Sequence, residues 1–169
     1  MIEILGNRVN MKNWTEVYEK DYATWVARNV ELLKKGSFSE VDIEHLIEEL
    51  EGMARSDKRE LESRLIILIA HLLKWQFQLQ CLKEQWRGFE GQSWQNTIIE
   101  QRTQLESLLD KIPNLRNFFP QMIDQSYPYA LKLATKETKL AKETFPKVCP
   151  YTVEQLLDDD FYPTAKNRD

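Results

Sequence analysis

The chain has 169 residues, of which 42% are hydrophobic and 30% charged, with a formal net charge of −4. That balance excludes a disordered polymer and a membrane-spanning chain, and the length suits one domain with its own core. An acidic pI near 5.4 argues against a broad phosphate-binding face, so nucleic acid is not an expected partner.

The longest unbroken apolar run, residues 65–70, is far shorter than the ~20 residues of a membrane span. No secretion signal opens the sequence, which makes the cytoplasm the expected compartment. Cys81 and Cys149 lack a CxxC spacing and read as small hydrophobes, not as a disulfide or metal pair. Residues 1–13 carry no period and are read as an arm, with Met11 as an alternative start. Residues 14–163 are read as a single domain and 164–169 as a tail.

From residue 13 onward the period is helical. Over residues 15–35, Tyr18, Tyr22, Trp25 and Leu32 share one face, and Gly36 supplies a C-cap. Ser37 with Glu40, or Ser39 with Asp42, offers a capping box for a second helix. Its apolar stripe is Ile43, Leu46, Ile47, Leu50 and Met53, with Glu44, Glu48 and Glu51 as an acidic stripe beside it. A turn is expected within residues 52–57, where the pattern weakens.

The third segment, residues 57–83, holds the seam Leu61, Leu65, Leu68, Leu72, Trp75, Leu79 and Leu82. Ile66, Ile69, Leu73 and Phe77 cover a second side. Between them runs a polar row at the same four-three spacing: Glu60, Arg64, Ile67, His71, Lys74 and Gln78. A helix apolar on two sides is buried on two sides, at the centre of a bundle or at a subunit interface.

Beyond a glycine-bearing loop, Ser93 reads as the N-cap of a fourth helix over residues 94–112, whose stripe is interrupted by Gln101 and Arg102. Ser126 and Pro128 mark a further helix over residues 129–143. Pro146 and Pro150 forbid helix around them. Thr152 and Gln155 cap a last short one. No segment alternates with period two, so the predicted fold is all-α, an up-and-down bundle of about four long helices plus short C-terminal ones. The tryptophans Trp14, Trp25, Trp75, Trp86 and Trp94 fall mostly on apolar stripes and are expected to pack inside.

Four stretches, in order, carry a resemblance: "DYATWVARNVELLKKGSFSEVDIEHLIEELEGM", "KRELESRLIILIAHLLKWQFQ", "SWQNTIIEQRTQLESLLDKIPNLR" and "FPKVCPYTVEQLLDDDFYP". The chain resembles the bacterial, largely cyanobacterial, "domain of unknown function twenty-nine" family from about residue 18 to 163. The resemblance implies a helical bundle and an intracellular protein, and it implies no activity. Its motif positions fall on Asp21, Trp25, Asp42, Glu48, Glu49, Glu51, His71, Leu72, Lys74, Trp94 and Arg102. Pro113 and Asn114 stand where the family often has a Pro-Ser pair.

Arg64 and His71 lie nearly two turns apart, about 20° apart on the helix wheel. This Arg-x6-His spacing resembles the motif of the higher-eukaryote-and-prokaryote nucleotide-binding ribonucleases, in which a His acts as base and an Arg stabilises phosphorane charge without metal. The structural alternative pairs Arg64 with a glutamate and His71 with a buried acceptor. A di-metal centre would need Glu-x-x-His, which the sequence lacks; Asp42-x-x-His45 comes nearest. A single Glu48–His71 metal or small-anion site is a weaker alternative. If residues 43–83 formed a hairpin turning near Arg55, Glu48 would meet Arg64, and Arg102 could join Glu48 or Glu49. The expected cluster is therefore Glu48, Arg64, His71, Lys74 and Arg102.

No phosphate-binding loop, dinucleotide fingerprint, nucleophile elbow or zinc-finger spacing is present. No cofactor is expected. The leading reading is a non-enzymatic interaction module whose partner is a protein or a second copy of the chain.

Overall fold

The computed structural model describes residues 14–86, 88 and 90–164, and of Gln80 and Cys81 the backbone alone. The expected arm, most of the tail and the packing of Cys81 lie outside the described residues. Within them the fold is all-α, with no strand. The backbone divides into two compact units, Met1–Ala54 and Arg55–Asp169.

In the first unit, the helix expected over residues 15–35 is broken. Helix α1 (Trp14–Lys20) gives way at Asp21 to α2 (Tyr22–Lys35). Asp21 leaves helical geometry, and its carboxylate accepts the Thr24 backbone N–H at 3.1 Å, an N-cap that restarts the helix. Gly36 ends α2 with a φ of 74°, as a C-cap glycine does. Neither expected capping box forms. Residues Phe38–Glu40 make a 3-10 turn, and Asp42 caps the next helix through its bond from the His45 N–H.

That helix, α3 (Ile43–Gln85), corrects the largest expectation about the chain path. No hairpin turns near Arg55; the helix runs through. A lone Gly52 costs about 1 kcal/mol relative to alanine. The surrounding Glu51, Met53, Ala54, Arg55 and Lys58 are favourable or neutral helix formers with no proline among them, so the helix continues.

The second unit holds the core. Leu61, Leu65, Leu68 and Leu72 of α3 are fully buried, and so are Ile69 and Leu73 on its other side. Both sides are filled from within the unit, by α4 (Gln92–Lys111) through Ile98, Leu105 and Leu109, and by α5 (Phe119–Thr138) through Met122, Ile123, Ala130 and Ala134. The two-sided apolar pattern of this segment is thus used up inside the chain.

Gly91, not Ser93, is the N-cap of α4. Its φ is 71°, a left-handed conformation that favours glycine, and a Cβ there would stand 2.8 Å from the end of the Leu79 side chain, which would have to shift. Helix α5 begins ten residues before its expected start at 129. Pro120 fits its first turn, and Pro128 inside it forfeits only one backbone bond while the buried stripe carries on past it. The short α6 (Val153–Leu157) has the predicted Thr152–Gln155 capping box. Trp25 is buried as expected, whereas Trp86 is exposed.

Candidate functional site

In the first unit α2 and the start of α3 form an antiparallel pair, locked along its length by polar bonds. Near the turn, the Asp42 backbone N–H donates to the Asn29 amide oxygen at 2.9 Å. The buried Asp42 carboxylate accepts from Trp25 Nε1 at 2.8 Å and from His45 Nδ1 at 2.7 Å. At the other end, Glu49 accepts from the hydroxyls of Tyr18 and Tyr22 at 2.6 and 3.0 Å. That hydrogen bond pushes the Tyr18 hydroxyl up to about 12 and holds the Glu49 carboxyl below its ordinary range. Tyr18 packs against His45 and edge-on to Trp25.

The residues facing inward are therefore Trp25, Asn29 and Leu32 on α2, and Asp42, Leu46 and Glu49 on α3. One residue further along each helix come Val26, Val30 and Leu33, and Ile43, Ile47 and Leu50. All six are exposed, Ile47 by 51% and Leu50 by 58%. One residue is a rotation of about 100°. The same rotation about two antiparallel axes turns both stripes to the same side of the pair. The result is one apolar face built from two helices, with Met53 at its end. Of the apolar stripe Ile43, Leu46, Ile47, Leu50 and Met53, all but Leu46 form a surface.

The sequence-predicted site residues are not gathered at one point. Glu48 is exposed on the first unit, and without a turn at Arg55 the register that would set it beside Arg64 does not exist. The polar row of α3 instead runs along the second unit, and its members find separate partners. Arg64 reaches Gln101 at 3.5 Å and Glu60 at 3.4 Å. His71 is half-buried. Its Nδ1 lies 2.9 Å from the Ile67 carbonyl oxygen, which can only accept, so Nδ1 carries the proton and Nε2 keeps the lone pair. Burial pulls the imidazole pKa below 6.5, the nearby Lys74 ammonium adds to this, and the Ile67 bond opposes it. Lys74 is buried, 2.6 Å from Glu137 of α5 and above the ring of Trp94. Gln78 donates to the Thr138 carbonyl at 3.3 Å.

Arg102 faces neither Glu48 nor Glu49. Its guanidinium, on a residue 2% exposed, donates to the carbonyls of Gln155, Leu156, Asp159 and Phe161 at 2.8–3.2 Å and lies over Tyr162. It clamps the open C-terminal end of α6 and the turn after it. Four carbonyl dipoles, two of them from the last turn of α6, compensate the charge at close range, and the carboxylates of Asp159 and Asp158 favour it from further off.

Among the described residues, no three His, Cys, Asp or Glu side chains converge as a metal site would need. No helix among them is long and apolar enough to cross a membrane. The exposed face escaped sequence reasoning, although its signal was there: valines and a leucine at four-three spacing, one position off the aromatic stripe.

No curated protein and no solved structure matches the chain. The family described as Domain of unknown function DUF29 matches residues 17–162, a span covering both the locked helix pair and the Arg102 clamp, and the chain belongs to it.

Proposed function

We propose that the protein is a non-enzymatic interaction module that binds another protein through the apolar face of its first unit. One observation carries this reading: six aliphatic side chains on two helices are turned to one side and left in water. Scattered exposed hydrophobes are ordinary, whereas a contiguous face of this kind marks an interaction surface. The polar bonds of Asp42 and Glu49 set the two stripes side by side before any partner arrives, which lowers the ordering cost of docking.

A photo-crosslinking amino acid in place of Ile47, in cells producing the full chain, tests the reading. Discrete adducts are expected at position 47 and not at the exposed control position Thr103 of the second unit. Adduct patterns that are the same at both positions, or absent at both, would reject it.

A further inference from the structure

The apolar face is asymmetric in charge, and this names its occupant. Residues 1–54 contain eleven Asp and Glu against six Lys and Arg, a net of −5, while residues 55–169 contain sixteen against seventeen. The chain's whole negative excess thus resides in the unit that carries the face. The acids are also placed. One further residue round α3 from Ile43 and Ile47 stand Glu44 and Glu48, both exposed and with no ion-pair partner among the described residues. They form an acidic rim along the α3 edge. On the α2 edge the corresponding positions are Ala27, Glu31 and Lys34, small or mixed in charge.

We infer that the apolar face of α2 and α3 receives a basic amphipathic helix of another protein, with aliphatic residues at four-three spacing and Lys or Arg on the flank facing Glu44 and Glu48. The inference rests on the interaction reading above and adds the partner's chemistry. Two aliphatic stripes side by side on one face of a helix pair offer the seat that the apolar side of an amphipathic helix packs against. The acidic rim supplies register and steering, the usual contribution of charges at the edge of an interface. A second copy docking face to face would bring −5 against −5. An anionic lipid surface would meet the same repulsion.

The test uses the full chain and two labelled 21-residue peptides with leucine at the a and d positions of each heptad. One carries Lys at e and g, the other Glu. Fluorescence anisotropy is expected to give saturable one-to-one binding of the Lys peptide and at least tenfold weaker binding of the Glu peptide. Ile47→Asp should weaken the Lys peptide at least tenfold, and Glu48→Lys several-fold with a smaller dependence on salt. Circular dichroism of both variants is expected to match the parent, since both positions are exposed.

Binding of the two peptides alike, lost in Ile47→Asp, would overturn the charge assignment while leaving the interaction reading intact. Binding of the Lys peptide untouched by Ile47→Asp would overturn both. Light scattering that reports a dimer dissociated by Ile47→Asp, or sedimentation with phosphatidylglycerol vesicles in place of peptide binding, would assign the face to a second copy or to lipid and overturn the basic-helix partner.

Discussion

Lys74 shows what a single buried charge demands of its neighbours. Its side chain is 8% exposed, against 39% for Glu137. Removing one partner of such a pair strands the other, whereas replacing the charge by a hydrophobe of similar shape does not. Glu137→Ala is expected to lower the unfolding free energy by about 2 kcal/mol, less than the ~3–5 kcal/mol of a fully buried pair because Glu137 reaches solvent. Lys74→Met should cost less than that. Urea denaturation ranks the two variants, and the opposite order would show the ion pair itself to be the larger contribution. His71 gives a second expectation. The unfolded ring takes its proton near pH 6.5 and the folded ring at a lower pH. Between those values the unfolded state holds more protons, so stability is complete above 6.5 and falls as the pH drops. Melting temperatures of the parent should decline from pH 6.5 toward about 5 more steeply than those of His71→Gln; equal slopes would remove His71 from the account. Reading the sequence placed both residues on one polar row because helical spacing dictates the row. It could not supply Glu137 or the Ile67 carbonyl, because a row specifies direction and not what lies opposite.

Helices were legible where periodicity ran long, and misread where one residue decided the outcome. Asp21 breaks a periodic pattern by capping, and nothing in the spacing of Tyr18, Tyr22 and Trp25 announces it. Gly52 fails to break one, because the cost of a single glycine is small beside the propensity of its neighbours. The start of α3 depends on Asp42, whose carboxylate accepts from Trp25 and His45 while its backbone binds Asn29. Asp42→Ala should therefore cost about 2 kcal/mol, a lost cap together with a stranded indole N–H. Amide hydrogen exchange is expected to speed up in residues 22–49 while residues 61–79 keep their protection. Faster exchange confined to residues 43–46 would mean that only the cap was lost.

Across the whole chain, burial is uneven. Trp25 is the one large hydrophobic residue of the first unit that is buried among the described residues, and the continuous core runs from Leu61 to Leu156. Opening free energy follows buried apolar area. Hydrogen exchange in residues 22–50 is thus expected to exceed that of residues 61–79 and 98–109 by orders of magnitude, and saturating peptide on the apolar face should slow it. Equal protection throughout would contradict this partition. The surface position Ile47, by contrast, should tolerate Asp within about 0.5 kcal/mol. Fold class and core were legible because a long amphipathic segment has few ways to bury two sides. The exposed face was not, because a stripe of Ile43, Ile47 and Leu50 looks the same whether the chain itself or something else covers it.

Arg102 also has a bearing on how the chain is made. Its nearest carbonyl partner lies 53 residues downstream. At roughly 5–20 residues per second, a ribosome takes about 3–10 s to cover that stretch. Throughout this interval Arg102 lacks the four carbonyls that surround it in the folded chain, so burying its guanidinium with α4 is costly. Closure of the nascent second unit around Arg102 therefore waits for the segment that holds α6.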